Sequence, residues 1–197
     1  MPAIAKTSDE AVVRAARKHL ERDGIAGVSM QAVAEAVGVR APSLYKRFPD
    51  RDTLLDAVAE LVAGELQAVI AAANRRGPPE VALAAMARAY RAFAKRSPHG
   101  YALLFVDRGR TAGPSAEARA AAAAPLLERL ADLVGPQHVL AAARLMTAWL
   151  HGFVAMEIAG AFRLGGDLEA SFQFGLTTVI DALVRRPRPA PPVTPTR

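Results

Sequence analysis

The sequence predicts an all-α protein of about nine helices, with a small three-helix N-terminal unit followed by a larger helical body. Three observations carry that prediction. Alanine dominates a 197-residue chain that is 52% hydrophobic but only 6% aromatic, a bias that favours helix over sheet. Apolar residues recur every three or four positions in one segment after another, and no stretch alternates with the period of two that a half-buried strand needs. Each periodic segment is closed by Gly or Pro, or opened by a Ser, Thr or Asp that can cap a helix.

Taken in order, Thr7-Ser8-Asp9-Glu10 reads as a capping box, with Thr7 at the cap and Glu10 three residues on. Val12, Val13, Ala16 and Leu20 give the helix one apolar face, and Gly24 is its stop signal. Ser29 can cap a second helix with Val33, Ala34 and Val37 inward, ended by Gly38. A short third helix follows over residues 41–48, where Pro42 is tolerated because it falls in the first turn. Pro49 breaks the chain, and Asp50 caps a fourth helix that runs to Asn74. Arg75-Arg76-Gly77-Pro78-Pro79 is a linker, and a helix over 79–96 comes next. Ser97-Pro98-His99-Gly100 breaks it, a short apolar segment covers 101–106, and 107–115 reads as a loop. An alanine-rich helix follows over 116–134, which Pro125 is expected to kink or divide. Gly135-Pro136 opens a long helix to residue 163, Asp167 caps the last one, and that helix runs to residue 185. The expected division is 1–50, 51–186 and a disordered Pro-rich tail, 187–197.

Composition removes several function classes. There is no cysteine, so disulfide scaffolds, thiolate metal sites and cysteine nucleophiles are excluded, and a cytoplasmic protein is expected. The N-terminus carries no apolar signal-peptide core. The longest apolar stretch, 145–162, contains His151 and Glu157; a carboxylate in mid-span is costly in lipid, so it reads as a buried helix, with no membrane partner. Of the four histidines, His19, His99, His138 and His151, the first two have no Ser or Asp partner set by spacing, and no i, i+4 metal pair appears. The glycines between Arg108 and Gly113 lack the strand that precedes a phosphate loop. Neither an enzyme nor a cofactor is expected. The net charge of +6 lies at the two ends: +3 over residues 1–51, +4 over 185–197 and −1 between them. A basic N-terminal segment suggests a polyanionic partner.

The informative stretch is Ser29 to Leu55. Two short helices joined by a tight turn at Gly38 have the helix-turn-helix layout. In the second helix, Leu44 and Phe48 are spaced to face the core, which turns Pro42, Ser43, Lys46 and Arg47 outward. A short helix with a small, polar, basic outer face suits the major groove of double-stranded DNA.

Val33-Ala34, Gly38-Val39, Leu44-Tyr45, Phe48, Arg51 and Leu54-Leu55 together resemble the TetR family of regulators, most closely across residues 8–56. The resemblance implies a ligand-responsive repressor that binds a palindromic operator as a homodimer. It implies phosphate contacts from Tyr45, from the helix start at Ser29, and from Arg51, which stands where the family usually has a lysine. Gln31, Arg40, Ala41, Pro42 and Ser43 would lie near base edges, with Lys46 and Arg47 reaching phosphates or bases. Arg40-Ala41-Pro42 departs from the Ser or Thr cap common in the family, and Ala41 can read only shape or a thymine methyl.

In such regulators the last two long helices form a four-helix dimer interface. Ala148, Gly152, Ala155, Ala159 and Gly160 would permit close approach, and Phe172, Leu176, Val179 and Leu183 offer an apolar stripe; at least one of these faces is expected to meet a partner. Trp149-Leu150-His151-Gly152 resembles the Trp-His-Gly signature of one C-terminal subgroup. Candidates for lining a pocket for a small apolar effector are Met86, Tyr90, Phe93, Leu104, Phe105, Met146, Trp149 and Phe153. The competing reading is a helical lipid-binding or interaction module without DNA binding, which would explain the body but not Tyr45, Lys46, Arg47 and Arg51.

Overall fold

In a computed structural model, residues 8–74, 76–105 and 113–185 are described, and among them every regular element is helical. The elements are α1 (Asp9–Gly27), α2 (Met30–Ala36), α3 (Ala41–Tyr45), α4 (Arg51–Ala73), α5 (Pro79–Arg96), α6 (Pro98–Leu103), α7 (Ala116–Val134), a 3₁₀ turn (Pro136–His138), α8 (Val139–Ile158) and α9 (Leu168–Val184). They form two compact units, residues 1–69 with 92–123, and residues 70–91 with 124–197. Thr7, most of the loop over 107–115 and the tail over 187–197 lie outside the described residues.

In the first unit Ser8 caps α1, its hydroxyl accepting from Ala11 N–H at 3.1 Å. Val12, Ala16 and Leu20 are fully buried, as their spacing requires. Gly24 interrupts α1 with a positive φ, but helical turns resume as far as Gly27, beyond the expected stop. Ser29 caps α2 by accepting from Ala32 N–H at 3.1 Å. Gly38, at φ +72°, closes α2: its N–H donates to the Glu35 carbonyl, and Val39 N–H reaches back to Ala34. That reciprocal pair is a Schellman motif, which needs a left-handed residue where it stands. The third helix ends at Tyr45 rather than Phe48. Pro49 disfavours helical backbone at Phe48, and a turn through Arg47 and Phe48 hangs from the Leu44 carbonyl instead. Asp50 caps α4 by accepting from Thr53 N–H at 2.7 Å. Pro98, expected in a break, starts α6, which takes in Tyr101–Leu103 of the apolar segment; its missing N–H would be unpaired in a first turn anyway.

The alanine-rich α7, most of which lies in the second unit, runs on through Pro125 as one helix. The long apolar helix stops at Ile158, not at residue 163. Gly160 N–H donates to Glu157 and Ala161 N–H to Met156, a second Schellman end built on a glycine at φ +62°. The stretch from Pro136 to Ile158 is long and apolar enough to span a bilayer by length and composition. Only one face is buried, by Ala142, Met146, Leu150 and Val154, while Leu140, Leu145 and Met156 are exposed. Asp167 caps α9, accepting from Glu169 N–H and Ala170 N–H. Phe172, Leu176 and Leu183 are buried within the chain's own structure and Val179 is half-buried, so the stripe faces the core chiefly through the other three. Trp149 stacks on Phe172 at 5.6 Å and lies so close to Gly175 that a Cβ there would fall 2.6 Å from the indole.

Candidate nucleic-acid interface

The interface is built on Leu44 and Phe48. Both are buried and anchor α3 by its inner face. Pro42, Ser43, Tyr45 and Lys46 are thereby left exposed. Tyr45, from which a phosphate contact is expected, has about half of its surface in solvent, at 51% exposure. Arg40 is exposed ahead of α3 and makes no side-chain cap, and Ala41 is half-buried. The missing cap follows from Arg40-Ala41-Pro42, which offers no acceptor side chain there.

The remaining predicted contact residues are engaged within the chain. Ser29 uses its hydroxyl oxygen as an acceptor in the α2 cap, which leaves the O–H proton able to donate to a phosphate. Gln31 is exposed and donates one amide N–H to Glu35 at 2.7 Å. Arg47 is half-buried, and its Nε lies 2.9 Å from the Asp9 carboxylate at the start of α1. Arg51 turns inward: its Nε donates to the Val28 carbonyl at 2.5 Å and its Nη2 to the Ile25 carbonyl. A cation at the start of α4 opposes that helix's dipole, but the carbonyls that end α1 form the negative pole of another. The arginine therefore fastens the fourth helix to the end of the first.

Sequence reasoning did not find the polar cluster that joins α1 to α4 and to the start of α6. Arg17 of α1 pairs with Glu21 at 2.8 Å and Glu65 of α4 at 3.1 Å, and donates to Ser97 Oγ at 2.5 Å. Ser97 in turn donates to Glu21 at 3.0 Å, and Gly100 N–H donates to the same carboxylate at 2.6 Å. Only the i, i+4 spacing of Arg17 and Glu21 was visible along the chain.

The predicted effector residues divide between the units. Met86, Tyr90 and Met146 are buried and Trp149 and Phe153 half-buried in the second; in the first, Phe93 is buried, Leu104 half-buried and Phe105 exposed. Trp149 and Phe153 pack on α9: the Phe153 ring lies 5.4 Å from Phe172 and 4.9 Å from Phe162. Above this cluster sits Arg91, 4.3 Å from the Phe172 ring. It holds Glu157 through two hydrogen bonds of 2.7 and 2.8 Å and Glu169 through one of 2.5 Å. The hydrogen bond to Glu157 leads in raising the Arg91 pKa above its ordinary value. Glu169 is held below the usual carboxylate range, first by its hydrogen bond from Gln173 and then by Arg91. His151 is half-buried, and burial lowers its pKa. Among the described residues no group of three or more His, Asp or Glu side chains could hold a metal ion.

The profile of bacterial regulatory proteins of the tetR family matches residues 12–58. That of the tetracyclin repressor-like C-terminal domain matches residues 83–179. An uncharacterized HTH-type transcriptional regulator of Mycobacterium tuberculosis is 32% identical over 161 residues, covering 79% of this chain and 72% of its own. The chain belongs to the TetR family. The uncharacterized HTH-type transcriptional regulator YobS of Bacillus subtilis is 28% identical, covering 88% of this chain and 91% of its own. A solved protein of unknown function from Rhodococcus sp. RHA1 shares the fold with a TM-score of 0.75 at 23% identity, covering 94% of this chain and 97% of its own. A TetR variant from Acinetobacter baumannii, crystallised with minocycline, does so at 0.68 and 23%, over 91% and 98%. As a TetR-family member this is a DNA-binding transcriptional regulator with a ligand-binding C-terminal domain.

Proposed function

We propose that the chain is a homodimeric, cytoplasmic repressor that binds a palindromic operator and is released by a small, largely apolar effector. In this reading residues 1–50 form the DNA-reading domain and 51–186 the effector-binding and dimerising body. The observation that carries it is the α2–Gly38–α3 corner, with Leu44 and Phe48 buried and Pro42, Ser43, Tyr45 and Lys46 presented to solvent. Two such corners must meet successive major grooves about 34–36 Å apart, which calls for a two-fold partner. A dimer face is supported by the outward side of α8, where Leu145, Ala148 and Met156 are exposed and Gly152 adds no bulk, together with Phe174 of α9. Effector binding would shift the population between two arrangements of the paired readers.

Tyr45 and Lys46 contact phosphate in this reading, while Gln31, Arg40 and Ser43 face bases, with Arg51 offering phosphate only the N–H groups that the carbonyls leave over. Exchanging Tyr45 for Phe together with Lys46 for Ala weakens binding to every duplex sequence. It also lowers the salt dependence by about 0.9 in the log–log slope for the lost lysine contact. Exchanging Gln31 or Ser43 for Ala alters the sequence preference instead. Fluorescence anisotropy on a selected operator and on mixed-sequence duplex separates the two. Unchanged binding by the Tyr45/Lys46 double variant would remove the phosphate assignment.

A further inference from the structure

Arg47 and Asp9 join the end of the reader to the start of α1 at 2.9 Å, and the pair lies at the surface: the Asp9 side chain is 67% exposed and the Arg47 side chain 29%. Two other arginines in this unit are fixed differently. Arg17 is 12% exposed and shared between Glu21 and Glu65, and Arg51 is committed to two backbone carbonyls. An exposed ion pair holds weakly and is screened by salt, so the grip on Arg47 is one that a polyanion can take over. Asp9 does not depend on Arg47 for its place. It stands in the first turn of α1, where the helix dipole favours a carboxylate, directly after the Ser8 cap. Arg47 directly follows the exposed Tyr45 and Lys46.

We infer that Asp9 is an affinity-setting residue: its carboxylate occupies Arg47 in the DNA-free protein and competes with a backbone phosphate for it. This rests on the DNA-binding reading above and adds to it a residue outside the helix-turn-helix. The competition acts on all sequences alike, because a phosphate carries no base identity. It also lowers the net counterion release, since Asp9 recruits a cation when Arg47 leaves it.

The test is a four-member cycle in the full-length chain: wild type, Asp9→Asn, Arg47→Ala and the double variant. Each is titrated with mixed-sequence duplex DNA across a range of salt. Asp9→Asn should bind roughly two- to fivefold more tightly at low salt, with a log–log salt slope steeper by up to about 0.9. In the Arg47→Ala background the same exchange should change neither. Thermal melts of all four report whether each is folded. Three results would overturn the inference: weaker binding by Asp9→Asn, which would make the carboxylate a support for a productive Arg47; unchanged affinity; or a gain that persists without Arg47, which would be a field effect of the lost charge alone. A wild-type chain that binds no duplex would remove the functional reading itself, and the inference with it.

Discussion

Arg47 and Arg91 each hold carboxylates, yet they stand in opposite circumstances. Arg47 meets Asp9 at the water boundary of the first unit. Arg91 lies in the second, with 8% of its side chain exposed, against a Glu157 side chain at 7%, and its guanidinium rests on the Phe172 ring. The first arrangement is cheap to open, which suits a surface that must exchange partners. The second cannot be opened halfway, because removing one member strands a charge away from solvent. The two show that exposure, more than the 2.9 and 2.7 Å distances, decides whether an ion pair works as a contact in waiting or as a fastener.

The largest effect should come from breaking the fastener. Replacing Glu157 by Ala leaves Arg91 with only the exposed Glu169 and should cost about 3–5 kcal/mol, a fall in Tm on the order of 10 °C by calorimetry. A loss below about 1 kcal/mol would place Arg91 in the same class as Arg47. Arg51 tests the middle of the scale, since its acceptors are carbonyls that it shares with the end of α1. Arg51→Ala should cost about 1.5–3 kcal/mol in urea unfolding, the range for hydrogen bonds to a charged group. If stability is unchanged while DNA binding falls, Arg51 is a phosphate contact rather than a clasp.

The smallest effect is one of pH. Glu169 has a folded pKa below its unfolded value. Its contribution is therefore present above the unfolded value and is lost as pH falls through the folded one. Its carboxylate is largely solvated, with 62% of the side chain exposed. The stability of Glu169→Gln should accordingly fall slightly less steeply than wild type on acidification below the ordinary glutamate range. Parallel curves would show that the outer carboxylate adds nothing to the hold on Arg91.

What the sequence made legible was local. Ser29, Gly38 and Asp50 are signals written within four residues of the bonds they make. So are the inward positions Leu44 and Phe48, and with them the corner of the reader. Fasteners were illegible because their partners are far apart in the chain: Arg17 and Glu65 are 48 residues apart, and Arg91 and Glu157 are 66. Spacing showed that Phe172, Leu176 and Leu183 share a face of α9 but not which core that face would meet, and here it meets the chain's own. The length of α8 was overestimated because composition continues past Ile158, whereas the Gly160 bend ends the helix through backbone geometry.

Trp149 is the single tryptophan of the chain, and it is wedged between Phe172 and the bare backbone of Gly175. Its emission is therefore an intrinsic gauge of the seam between α8 and α9. Any event that parts those helices would wet the indole and shift its spectrum to the red, without a dye or a label. A molecule admitted between them could be followed in this way in a cuvette.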